Sequence, residues 1–144
     1  MKLKLTKLGY QWSIYQKFEG GYKKVGKILS KPTNTTLFSL NDIKAQITNK
    51  EYDDQVVLTL SADNIQLKCH IPTQKEWSSI AWKDVDSKTE ILKGIAKNNQ
   101  TKVITNSTKL AKHYQISNSH LIEITDSEVY SPIVILASLS PFFL

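Results

Sequence analysis

Lys23, Lys24 and Lys27 stand close together near the start of the sequence, and Lys109 and Lys112 stand close together near its end. Grouped ammonium ions attract anionic surfaces, whether phospholipid headgroups, nucleic-acid phosphates or an acidic protein. All 19 basic residues are lysine. Without arginine there is no planar fork to grip a phosphate or a guanine edge in two places, which argues against an arginine finger and arginine-based base reading. In the stretch Glu76-Trp77-Ser78-Ser79-Ile80-Ala81-Trp82, the two indoles offer flat faces on which a base, a sugar or a headgroup edge could stack. Trp77 and Trp82 are five apart, which fits neither one strand face nor one helix stripe, and packing in or beside the core is the competing use.

The residues capable of nucleophilic or acid–base chemistry do not assemble into a motif. Cys69 and His70 are neighbours, so on a strand they point to opposite faces and form no dyad. Cys69 falls on an apolar face and reads as a small hydrophobe. His113 and His120 are seven apart with no carboxylate at metal-ligand spacing between them. Asp53-Asp54 falls in a polar stretch where solvated carboxylates are the default. The expectation is a protein that is not an enzyme and uses neither metal nor cofactor.

A second lead runs from Thr108 to Ile122. The Leu110-Ala111, Ile116-Ser117 and Leu121-Ile122 spacing is similar to that of a helix-turn-helix, in which one helix braces another in the major groove. It departs from that pattern at Gln115, where a turn glycine is usual, and it runs directly into strand-like sequence. This segment carries the alternative reading, a nucleic-acid-binding protein.

The rest of the chain supplies the elements that would hold these side chains. Lys2-Leu3-Lys4-Leu5 alternates with period two, placing Leu3 and Leu5 on one strand face. Tyr10, Trp12 and Ile14 share a face of the next alternating run, and Glu19-Gly20-Gly21-Tyr22 is a hairpin signal in which glycine supplies positive φ. Short strands follow at Leu37–Leu40 and Ile43–Ile47 around Asn41-Asp42. The clearest hairpin has Gln55–Leu60 as one arm. Its other arm alternates Ile65, Leu67, Cys69 and Ile71 with polar residues, and Pro72 ends it. Asp84 to Asn98 reads as a helix with Ile91, Leu92, Ile95 and Ala96 as its apolar stripe, although Gly94 weakens it, and Asn98-Asn99-Gln100 stops it. Lys102-Val103-Ile104 is a further short strand.

Length and composition fit one soluble domain spanning 1–144. One cysteine leaves no internal disulfide. Met1 to Leu8 alternates lysine and leucine, unlike a signal peptide, so a cytoplasmic location is expected. The net charge of +6 is uneven. Residues 1–31 hold eight lysines and one acid, and residues 88–112 hold six lysines and one acid. Residues 32–87 hold five lysines and eight acids. The two basic blocks could meet on one face; solvated lysines that keep a small protein soluble are the competing reading.

The most apolar stretch closes the chain. Leu121-Ile122-Glu123-Ile124-Thr125 reads as a buried strand and Asp126-Ser127 as a turn. Ser131-Pro132 then opens a helix: serine caps free N–H groups, and proline needs no N–H at the first position. From Ile133 to Leu139 almost every residue is apolar, so this helix would be buried on all sides until Pro141 stops it. The run is too short to span a bilayer, which takes about 20 apolar residues. A buried strand, or a tail inserted into a partner or a membrane surface, are the other readings of this segment.

His120 to Glu128, followed by Pro132-Ile133-Val134-Ile135-Leu136-Ala137-Ser138-Leu139, resembles the end of the tubby C-terminal-like group, which includes LURP-one-related proteins and phospholipid scramblases. The resemblance implies a hydrophobic helix threaded through a closed β-barrel. It also implies a non-enzymatic module, with phosphoinositide or membrane-surface binding in some members. It transfers no binding residue position by position.

The fold expected is therefore β-rich α+β: an antiparallel barrel or sandwich of short strands, one or two helices and a buried C-terminal hydrophobic helix. The function expected is binding of an anionic partner, a phospholipid surface first, or of another protein. Lys23, Lys24, Lys27, Lys109 and Lys112 supply charge, Trp77 and Trp82 supply stacking, and no transmembrane segment is expected.

Overall fold

The computed structural model describes residues 1–73, 77–98, 100–127 and 129–144; Glu76, Asn99 and Glu128, quoted above, lie outside the described residues. Among the described residues, twelve strands close into one antiparallel barrel. They are β1 (Lys2–Leu8), β2 (Gln11–Phe18), β3 (Gly21–Lys31), β4 (Thr35–Leu40), β5 (Ile43–Glu51) and β6 (Gln55–Ala62). The rest are β7 (Ile65–Pro72), β8 (Ser79–Asp84), β9 (Glu90–Ala96), β10 (Thr101–Asn106), β11 (Thr108–Ile116) and β12 (Ser119–Ile124). Each strand pairs with the next in sequence, and β12 returns to pair with β1, so no edge is left to recruit another chain. Met1 ties this seam: its ammonium donates to the Ile124 carbonyl at 2.9 Å, and its own carbonyl accepts the Ile124 N–H at 2.8 Å.

Period-two alternation decides which side chains enter the barrel. Leu3 and Leu5, Trp12 and Ile14, and Leu67 and Cys69 are buried, while Lys2, Lys68 and His70 stay outside. Asn41 and Asp42 both take positive φ, 49° and 67°, as a two-residue hairpin turn requires. At the β2–β3 hairpin the turn residues are Glu19 and Gly20, and the positive φ (118°) falls on Gly21. Tyr10 departs from the face it was expected to share with Trp12, because the chain turns at Gly9 (φ 65°) and leaves Tyr10 at an exposed tip.

A barrel of twelve strands is too wide for its own side chains to fill. Helix α1 (Pro132–Leu139), roughly 12 Å long, fills it, and every residue from Ile133 to Leu139 is buried. The all-round apolar sequence is thus a core helix. Pro132 takes its first turn; the Ser131 backbone carbonyl, rather than its hydroxyl, accepts the N–H groups of Val134 and Ile135 at 3.1 and 3.2 Å. A helix ending inside an apolar barrel leaves carbonyls in need of donors. Trp82 supplies one, its Nε1–H donating to the Ser138 carbonyl at 2.9 Å. The Ser138 and Ser140 hydroxyls donate to the carbonyls of Ile135 and Ala137 at 2.8 and 2.7 Å. Pro141 lies in a 3-10 turn, Ser140–Phe142.

Two expected elements are corrected. Asp84–Asn98 is not a helix: Glu90–Ala96 is strand β9, paired with β8 and β10. Thr108–Ile122 is not a helix-turn-helix: it is most of the β11–β12 hairpin, turning at Ser117-Asn118. Among the described residues, no helix is long and apolar enough to cross a membrane.

Candidate anion-binding wall and barrel mouths

We call the mouth where α1 begins proximal and the mouth where the chain leaves, at Phe142 and Phe143, distal. Barrel closure decides where the lysine-rich blocks lie. β1–β3 carry the first block and β9–β11 the second, and β12 sits between β1 and β11. The two blocks therefore join into one wall. The net-negative middle of the sequence, β4–β8, forms the remaining wall.

Strand register builds the outer surface of the lysine-rich wall. Tyr114 on β11 pairs with Leu121 on β12, Leu121 with Lys4 on β1, Lys4 with Tyr15 on β2, and Tyr15 with Lys24 on β3. This row crosses five strands, roughly 20 Å. A second row runs Lys112–Glu123–Lys2, and a third runs Thr6–Ser13–Lys27. Aromatic rings hold the cations: the Lys4 ammonium lies 5.7 Å from the Tyr22 ring centroid and the Lys112 ammonium 5.3 Å from that of Tyr114. Glu123, the acid within these rows, accepts a hydrogen bond from the Tyr114 hydroxyl at 3.2 Å. That bond, with burial and the Glu123 charge, raises the Tyr114 pKa, burial contributing most.

The candidate lysines divide accordingly. Lys24, Lys27 and Lys112 lie in the rows, and Lys109 is exposed on the same wall, nearer the proximal mouth. Lys23 does not join them. It pairs with Gln16 on the opposite register, its ammonium 5.8 Å from the Phe18 centroid at the proximal rim. Sequence reasoning missed Lys2, Lys4 and Lys17, the last paired with Tyr22 across β2 and β3, as part of the surface, and it missed Tyr15, Tyr22 and Tyr114. The alternation of Lys2 and Lys4 with buried Leu3 and Leu5 was the available signal.

The two tryptophans separate. Trp82 is fully buried and held by Ser138, so it cannot stack on a ligand; its place on the inward face of β8 decides this. Trp77 is half-buried at the distal mouth, 5.0 Å from Phe142 between ring centroids and tilted against it. With Ser78, Ala96, Asn98, Lys102 and Pro141, this pair lines a cleft of about 630 Å³.

On the distal rim of β11 and β12 the structure brings together two histidines that sequence spacing left apart. Ser117-Asn118 turns the hairpin, Gln115 pairs with His120, and His113 becomes its diagonal neighbour. His113 Nε2 lies 3.0 Å from His120 Nδ1. Phe143 stacks on His113 at 5.2 Å, and Trp12 meets His120 edge-on at 5.1 Å. Among the described residues, His113 Nδ1 is the one buried side-chain polar atom without a hydrogen-bond partner. Burial, and after it the His120 and Lys102 charges, push the His113 pKa down to about 4. Burial and Lys102 also lower His120.

The pH consequence follows from the sign. The folded pKa of His113 lies below its ordinary 6.5, so the unfolded chain binds the proton more readily. Stability is fully present above about pH 6.5 and falls as pH drops toward 4, by about 2–3 kcal/mol. Urea unfolding at pH 7.5 and pH 5 checks this: His113→Phe should lose less stability between the two than the native chain.

Cys69 is buried, and burial pushes its thiol up to about 12, against a smaller opposing effect of the Ala81 backbone. It is not a thiolate near neutrality. His70 points outward and meets Gln55 at 3.2 Å. Among the described residues, no group of three or more His, Cys, Asp or Glu could hold a metal ion. No family model, curated protein or solved structure matches the chain.

Proposed function

We propose that the protein is a non-enzymatic module that binds the anionic surface of a phospholipid membrane through its lysine-rich wall. The observation that carries the reading is the outer row Tyr114–Leu121–Lys4–Tyr15–Lys24, flanked by Lys2, Lys27 and Lys112. Tyrosines placed between lysines suit a bilayer interface, where an amphipathic ring sits at headgroup depth while ammonium groups meet phosphate. Lysine meets a lipid surface as a point charge, so the absence of arginine costs this function nothing essential. The architecture adds support: a closed barrel threaded by a C-terminal helix is what the resemblance to tubby C-terminal-like proteins implies. The buried Cys69 thiol, held protonated near neutrality, offers no nucleophile.

The test is co-sedimentation with vesicles. Phosphatidylcholine vesicles containing about one third phosphatidylserine should pellet the protein, and binding should weaken as salt rises because the contact is exposed. Pure phosphatidylcholine should not pellet it. Absence of binding at low salt would overturn the reading. Tight, salt-sensitive binding to duplex DNA without vesicle binding would move the same wall to a nucleic-acid partner.

A further inference from the structure

We infer that the β1–β2 and β11–β12 turns at the distal mouth are apolar tips that insert into the bilayer when the wall is docked, an inference that rests on the membrane reading above. The tips carry the most exposed apolar side chains of this part of the barrel. Leu8 is 87% exposed, Tyr10 85% and Ile116 59%.

They are neighbours because the barrel closes. β1 pairs with β12 through Leu5↔His120, so the continuation of β1 toward Leu8 runs beside the Ser117-Asn118 turn. Both tips are tight: Gly9 and Ser117 take positive φ, 65° and 56°, which fixes where Leu8, Tyr10 and Ile116 emerge. The Tyr10 carbonyl accepts the Ser30 N–H at 3.5 Å, tying the first tip to the end of β3 beside Lys31.

The charge around the tips selects the partner. Residues 1–18, 20–41 and 113–122 contain no acid. Lys7 stands just below the first tip, its ammonium 5.8 Å from the Trp12 ring, and Lys31 lies beside it. The acidic Asp53-Asp54 turn, between β5 and β6, opens at the same distal mouth but on the other wall of the barrel. Exposed leucine, isoleucine and tyrosine with Lys7 and Lys31 as their nearest charges along the chain fit an anionic lipid surface, where apolar atoms pass the headgroups and ammonium groups stay among them.

Cys69 is buried, so a cysteine introduced at a tip is the one that takes an environment-sensitive dye. Leu8→Cys and Ile116→Cys proteins, each labelled, are compared with Asn64→Cys, in the proximal β6–β7 turn. On phosphatidylserine-containing vesicles the two tip dyes should brighten and shift to the blue, and the Asn64→Cys dye should not. The unlabelled double variant Leu8→Ser/Ile116→Ser should bind these vesicles roughly tenfold or more weakly. Binding with unchanged tip dyes overturns the inference and leaves the wall reading standing. No binding by the unlabelled native chain overturns both.

Discussion

A chain ending at Tyr130 does not fold: it loses its near-ultraviolet circular dichroism and shows no cooperative melting transition. The reason is the width of the barrel. Twelve strands enclose an interior that α1 fills with Ile133, Val134, Ile135, Leu136 and Leu139, all buried. Each such side chain contributes about 1.5–3 kcal/mol on burial. Five of them approach or exceed the total stability of an ordinary domain, about 5–15 kcal/mol. The truncation also removes the acceptor for the Trp82 indole N–H, leaving a buried donor unpaired. A milder version, Leu136→Ala, should cost about 2–5 kcal/mol, because the surrounding strands cannot collapse onto the space. A truncated chain that stays soluble and melts like the full one would show that the strands close without the helix.

Gly26→Ala is the second large effect. Gly26 faces inward on β3, paired with Leu40 of β4. A β-carbon there would run into the Ser39 carbonyl oxygen and press on the Leu40 α-carbon, both backbone atoms of the adjoining strand. Relief requires opening the β3–β4 pair, so the expected loss is at least about 3 kcal/mol, or roughly 10 °C in melting temperature. Gly20→Ala is the control. It meets nothing within 4 Å in an open turn and should change stability by less than about 0.5 kcal/mol. Equal melting temperatures for the two variants would contradict the close approach of β3 and β4.

What the sequence disclosed was local. Leu3 and Leu5 against Lys2 and Lys4, the alternation from Ile65 to Ile71, and the Ser131-Pro132 start of the final helix each rest on near-neighbour chemistry. The misreadings have physical causes. Between Ile104 and Thr105 the register of β10 against β11 shifts, and Leu110 and Ala111 are buried in succession. Two adjacent apolar positions imitate a helix stripe. β9 deceived in the same way, since Ile91 and Leu92 are both sheltered and inward-facing Gly94 offers no side chain to reveal the period. Gly94 is there because a β-carbon would strike the Phe142 ring. The sequence allowed that the two basic blocks could meet on one face; which strands join them was not legible, because it depends on β1 meeting β12, a pairing across almost the whole chain. The histidine pair became visible only with the register of the β11–β12 hairpin.

In the proposed function lysine position, not net charge, makes the membrane contact, and a charge-matched pair of variants measures this most directly. One carries Lys2→Gln, Lys17→Gln, Lys24→Gln and Lys109→Gln on the lysine-rich wall. The other carries Lys44→Gln, Lys50→Gln, Lys68→Gln and Lys83→Gln on the remaining wall, so both lose the same charge. Titrated with the same phosphatidylserine-containing vesicles at low salt, the first should lose most of its binding, and the second should bind like the native chain. Equal losses in the two variants would contradict the account.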